Sequence, residues 1–113
     1  MDVLILDSTG EDFGKHAYSQ LTEFEIEVTV EEIDLLDVPG EMSRSNAENF
    51  LVIADKSQEF IHEVVDKVLQ IEMNEGIVAK VFLESEGESQ EAYRRRGRRE
   101  SGEAAERLAK KIR

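Results

Sequence analysis

Two kinds of apolar pattern alternate along this chain. Val3-Leu4-Ile5-Leu6 and Phe50-Leu51-Val52-Ile53-Ala54 are unbroken apolar runs, the mark of strands buried on both faces. Phe24, Ile26, Val28 and Val30 instead alternate with Glu25, Glu27, Thr29 and Glu31, the period-two pattern of a strand with one face in water. Phe13, Ala17 and Leu21 recur every four residues and predict a helix, for which Ser8 with Glu11 or Thr9 with Asp12 has capping-box spacing. Ile61, Val64, Val65, Val68 and Leu69 form the broad stripe of a second helix, with Ser57 and Gly76 standing where its caps are expected. Ile77 to Leu83 predicts a fourth strand. Val38-Pro39-Gly40 reads as a turn, and Glu41 to Glu48 as a loop or one helical turn.

The resulting order, βαββαβ, resembles the ferredoxin-like α+β sandwich, in which strands one and three are central and strands two and four lie at the edges. A small flavodoxin-like parallel sheet is the alternative. It requires Glu41 to Glu48 to be a crossover helix, and that segment offers only Met42 and Ala47 as apolar contacts, so the ferredoxin-like arrangement is favoured. The core domain is predicted to span 1–86, with a charged linker, an arginine-rich arm and a short amphipathic helix over 87–113. Glu84 to Gln90 and Arg94 to Arg99 hold no apolar residue that offsets the entropy of ordering, so residues 84–101 are predicted to be disordered. Ala104, Ala105, Leu108, Ala109 and Ile112 fall on one face of a helix over 102–112.

Charge divides the chain more sharply than hydropathy does. Residues 94–113 hold nine Lys or Arg against three Glu, a balance of +6, whereas residues 1–93 hold five basic and 23 acidic residues, a balance of −18. A formal charge of −12 excludes the surface as a whole as a nucleic-acid platform, leaving only the arm for that role. With no cysteine and only His16 and His62, disulfides and thiolate chemistry are excluded and a zinc site is disfavoured. No apolar run reaches the ~18 residues of a membrane span, and the start lacks a basic signal segment, so a soluble cytoplasmic protein is expected. The charged fraction of 35% with no Cys or Trp is similar to a thermophile's composition, in which surface ion pairs are favoured.

Candidate chemistry is sparse. Asp7-Ser8-Thr9-Gly10 joins a strand to a helix start, where free N–H groups can hold a phosphate, and it resembles the hydroxyl-rich phosphate loop of flavodoxins over those four residues. Asp7 and Asp55 end the two predicted central strands and are weak candidates for a magnesium site, a pairing that resembles receiver domains without their acidic doublet. Ordinary capped turns are the favoured account of all of these residues. Ser43-Arg44-Ser45-Asn46 is a loop able to take an anion.

The strongest candidate is Tyr93 with Arg94, Arg95, Arg96, Arg98 and Arg99, whose guanidinium groups suit phosphate or carboxylate. The same arm can equally lie back on the acidic body. These observations predict a non-enzymatic binding or regulatory module without a cofactor, taking nucleic acid or an acidic protein surface on its arm. Phosphate or nucleotide handling with magnesium at the first turn, and a structural subunit of a larger assembly, are the alternatives.

Overall fold

A computed structural model describes residues 2–75, 77–84 and 87–112. Its strands are β1 (Asp2–Asp7), β2 (Glu27–Glu32), β3 (Asn49–Asp55) and β4 (Ile77–Leu83), ordered β2-β1-β3-β4 in one sheet. Every neighbouring pair is parallel, with Ile5 registered between Val30 and Leu51, and Leu51 in turn beside Ala79. Helices α1 (Phe13–Thr22) and α4 (Gln90–Ile112) cover one face, and α2 (Val38–Arg44) and α3 (Ile61–Glu75) cover the other. A wholly parallel sheet between two helical layers overturns the ferredoxin-like expectation, which requires antiparallel neighbours and helices on a single face. The strand order is that of the flavodoxin-like doubly wound sheet, ending at its fourth strand. The unbroken apolar runs do mark the two central strands, and β3 is buried along its whole length.

The segment that decides between the two folds is 35–44. Val38-Pro39-Gly40 is a helix start and not a turn, because Pro39 lies in the first turn, where a missing N–H costs no intrahelical bond. Leu35 and Val38, just ahead of the stretch expected to be polar, join Met42 in burying a continuous face against the sheet. Those residues supply the apolar contacts that the crossover was expected to lack. On α3, Ile61, Val64 and Val68 are buried and Val65 is partly so, whereas Leu69 is 41% exposed and lies outside the core. Ser57 does not cap α3, which begins four residues later; Gly76 lies outside the described residues.

The arginine run is helical. α4 is one continuous helix that takes in both the arginines and the amphipathic tail, contrary to the disorder expected over residues 90–101 of the 84–101 segment, of which 85 and 86 lie outside the described residues. Ser89 caps it, its hydroxyl accepting the Ala92 N–H at 3.1 Å. Ala104, Ala105, Leu108 and Ala109 are buried as their spacing predicts, and Gly97, Ser101 and Gly102 extend that seam toward the N-terminus. The extension needs no apolar side chains on α4, since Phe13, Ala17 and Leu21 of α1 supply them. Gly97 sits directly on the Phe13 ring, which a Cβ at that position would overlap.

Gly97→Ala tests this packing. In an exposed helix the change stabilises by up to about 1 kcal/mol, whereas overfilling a tight contact costs about 1–3 kcal/mol. We expect a net loss on the order of 1–2 kcal/mol in urea unfolding. A more stable variant would show that α4 does not close on Phe13.

Candidate functional site

Both central strands end in the same short device. Asp7 Oδ1 accepts the Thr9 N–H at 2.9 Å and the Thr9 hydroxyl at 2.6 Å; Asp55 Oδ1 accepts the Ser57 N–H at 2.8 Å and the Ser57 hydroxyl at 2.6 Å. The second oxygens reach further. Asp7 Oδ2 takes the Gly14 N–H at 2.8 Å and so caps α1, the role expected of Ser8 or Thr9. Asp55 Oδ2 takes the hydroxyl of Tyr93 on α4. Burial pushes the Asp7 carboxyl up in spite of its three donors. Burial acts the same way on Asp55, but hydrogen bonds from Ser57 and Tyr93 outweigh it and hold that carboxyl below its ordinary value. Tyr93 is raised by its own burial and by donating to Asp55.

Between the two strand ends lies the crevice where a doubly wound sheet reverses direction, the usual ligand position in this architecture. Here Gln58 spans it. Its Oε1 accepts the Asp55 N–H at 2.9 Å, and its Nε2 donates to the Ser8 carbonyl at 2.8 Å. The Ser8 hydroxyl lies 3.1 Å from the Ile53 carbonyl and 3.2 Å from Gln58 Oε1, donating to one at a time. The Thr9 hydroxyl also accepts the Glu11 N–H at 3.2 Å. Of the first-turn candidates, Ser8 and Thr9 are therefore committed to the fold and Gly10 forms the bend, with φ 76°. Asp7 and Asp55 serve separate loops, and among the described residues no group of three or more His or acidic side chains is placed to hold a metal ion.

Two candidates far apart in sequence meet at this edge. Arg94 Nε donates to Glu11 at 2.9 Å, and Arg98 grips Asp12 with two bonds of 3.0 Å, so the arginine run clasps the β1–α1 loop. That bond holds the Asp12 carboxyl below its ordinary value. An open groove of about 380 Å³ lies there, lined by Gly10, Glu11, Asp12, Lys15, Glu32, Arg94 and Arg98. Lys15 approaches Glu32 at 3.8 Å, so each cation of the groove faces a carboxylate of the same chain. Arg96 binds Glu88 and the Glu84 carbonyl, and its guanidinium lies 5.8 Å from the centre of the Tyr93 ring. Tyr93 in turn meets Phe13 edge-on, with ring centres 5.9 Å apart.

Arg95 and Arg99 point outward, and Arg98, held by Asp12, is half exposed beside them. Their i, i+3, i+4 spacing places them on one side of α4. The Arg95 side chain is 77% exposed beside Glu91 at 3.5 Å, that of Arg98 is 46% exposed, and Arg99 is exposed with no ion-pair partner among the described residues. Elsewhere, Ser43 and Arg44 of the expected Ser43-Arg44-Ser45-Asn46 loop end α2, and Arg44 is held at 2.7 Å by Glu41, which also meets Glu31, a poor setting for an anion. His16 lies against Gly102 on α1 and His62 is exposed on α3, on opposite faces of the sheet. Sequence reasoning missed Gln58, Glu11 and Asp12. The repetition of Asp-x-Thr and Asp-x-Ser after both apolar runs was the available sign that the strand ends are built alike.

No protein-family model matches the chain, and no curated protein does. Among solved structures, the crystal structure of the flavodoxin-like domain of a Synechococcus sp. protein is similar, with 12% identity over 96% of this chain and 99% of that one and a TM-score of 0.43. That likeness adds nothing to the strand order and register, on which the fold assignment rests. No helix among the described residues is long and apolar enough to cross a membrane.

Tyr93→Phe removes the α4 donor to Asp55. A hydrogen bond to a charged group contributes about 1.5–3 kcal/mol, less at a half-open site, so we expect a loss of about 1–2 kcal/mol in urea unfolding at neutral pH. Because the folded carboxyl lies below its ordinary 3.8, its contribution is present above that pH and lost as pH falls through the folded value. The difference between wild type and variant should therefore shrink in acid. A difference unchanged between neutral and strongly acidic pH would contradict this assignment.

Proposed function

We propose that this protein is a binding module that presents one face of α4, formed by Arg95, Arg98 and Arg99, to an anionic partner. The observation that carries this reading is the division of the arginine run. Arg94 and Arg96 are tied to the mostly buried Glu11 and Glu88 and to the Glu84 carbonyl, whereas Arg95 and Arg99 are exposed and Arg98 is held only by the half-exposed Asp12. The Arg98–Asp12 pair is half exposed, and such pairs contribute only about 0–1 kcal/mol. An incoming carboxylate or phosphate can therefore replace Asp12 at small cost and gain a bidentate partner. The balance of −18 over residues 1–93 repels polyanions everywhere else, which confines the contact to α4 and makes it sensitive to salt. Phosphate binding at the first turn has less support, since the Ser8 and Thr9 hydroxyls and both carboxylates are used within the fold.

Fluorescence anisotropy with a labelled single-stranded oligonucleotide and a labelled polyglutamate peptide tests this reading. Wild type should bind one of the two at about 50 mM salt, more weakly at about 200 mM. The triple variant Arg95→Gln, Arg98→Gln, Arg99→Gln should lose that binding and keep its thermal transition. Undiminished binding by the variant, or no binding of either probe by monomeric wild type, would contradict it.

A further inference from the structure

We infer that the anionic partner is a second copy of this chain, docked about a two-fold axis so that the outward arginines of each α4 meet the acidic start of the other copy's β2. This names the partner of the α4 face and rests on the binding reading above.

One stretch of the chain is acidic without interruption by a basic residue. Residues 16–43 hold eight Asp or Glu and no Lys or Arg. Within that stretch Glu23, Glu25 and Glu27, where α1 passes into β2, are exposed and have no ion-pair partner among the described residues. Arg95 and Arg99 are their counterparts in sign. The two patches also lie in the same helical layer: α4 runs alongside α1 in the same direction, with Gly97 beside Phe13 and Gly102 beside His16 and Gln20. The arginine end therefore lies at the carboxyl edge of the sheet, and Glu23 to Glu27, just past the end of α1, lie at the opposite edge. The side of α1 away from α4 adjoins β2, as the Lys15–Glu32 pair shows. Arginines and glutamates thus occupy diagonally opposite corners of the layer, and one two-fold rotation brings both pairs of corners together.

Tyr18 on α1 is 42% exposed. An exposed tyrosine flanked by a partner's guanidinium groups is the residue combination that dominates interface centres. Each copy carries −12, and that repulsion opposes association. At about 0.15 M salt it is screened beyond ~8 Å, while guanidinium and carboxylate in contact are screened much less.

Sedimentation velocity on the full chain at about 0.15 M salt tests the inference with two charge-reversed variants, one carrying Arg95→Glu and Arg99→Glu, the other Glu25→Arg and Glu27→Arg. All four positions are exposed, and circular dichroism confirms folding. Wild type should dimerise, each variant alone should dimerise at least tenfold more weakly, and an equal mixture should recover the dimer, because every contact in the mixed pair is again complementary. Tyr18→Ser should weaken the wild-type dimer. A wild type that stays monomeric at high concentration, or a mixture that fails to recover, overturns the inference. If that monomer still binds the oligonucleotide or polyglutamate through α4, the binding reading stands with an external partner; if it binds neither, both fall.

Discussion

Because Gly97 has no side chain, α4 closes on the Phe13 ring, and that approach sets the position of the α4 side chains that reach the carboxyl edge of the sheet. With the helix axis held there, Tyr93 reaches Asp55 one turn earlier, Arg94 reaches Glu11, and Arg98 reaches Asp12 one residue later. These contacts tie the loops after β1 and β3 to a helix that follows β4, so three separate chain segments are fixed by one helix–helix contact. Small residues on α4 and a large aromatic on α1 achieve this without a long apolar stripe on α4.

Electrostatics at this edge follow from the same placement. Glu11 and Asp12 stand at the start of α1, where the helix dipole favours negative charge, and Arg94 and Arg98 then neutralise the carboxylates. The arginine run thus acts first as a set of internal counterions for an acidic body. Only Arg95 and Arg99, with Arg98 where its half-exposed partner Asp12 is displaced, are left for contact with other molecules, which reduces a run of five arginines to a patch of three.

Much of the fold was legible in the chain. Unbroken apolar runs marked β1 and β3, and the alternation in residues 24–31 marked the edge strand β2, because burial on two faces and on one leaves different periodicities. Strand direction was not legible, since it turned on α2, whose apolar face begins at Leu35 and Val38 and is interrupted by the turn-forming pair Pro39 and Gly40. The arginine segment was misread for a related reason: Gly97, Ser101 and Gly102 resemble a linker in composition, and their value as a close-packing seam depends on Phe13, which lies more than eighty residues earlier. Composition and charge single out Tyr93 and the arginines, but their partners Asp55, Glu11 and Asp12 belong to loops that only the parallel topology brings beneath α4.

The central claim is that the arginine run belongs to the folded body. Native-state amide hydrogen exchange tests it most directly, because it measures the opening free energy of each backbone hydrogen bond. Amides of residues 98–105 in α4 should be protected to nearly the same free energy as those of Ala17 and Leu21 in α1, since the two helices share one packed seam. Exchange through residues 94–101 at close to the rate of an unstructured chain, with protection confined to 102–112, would contradict the account.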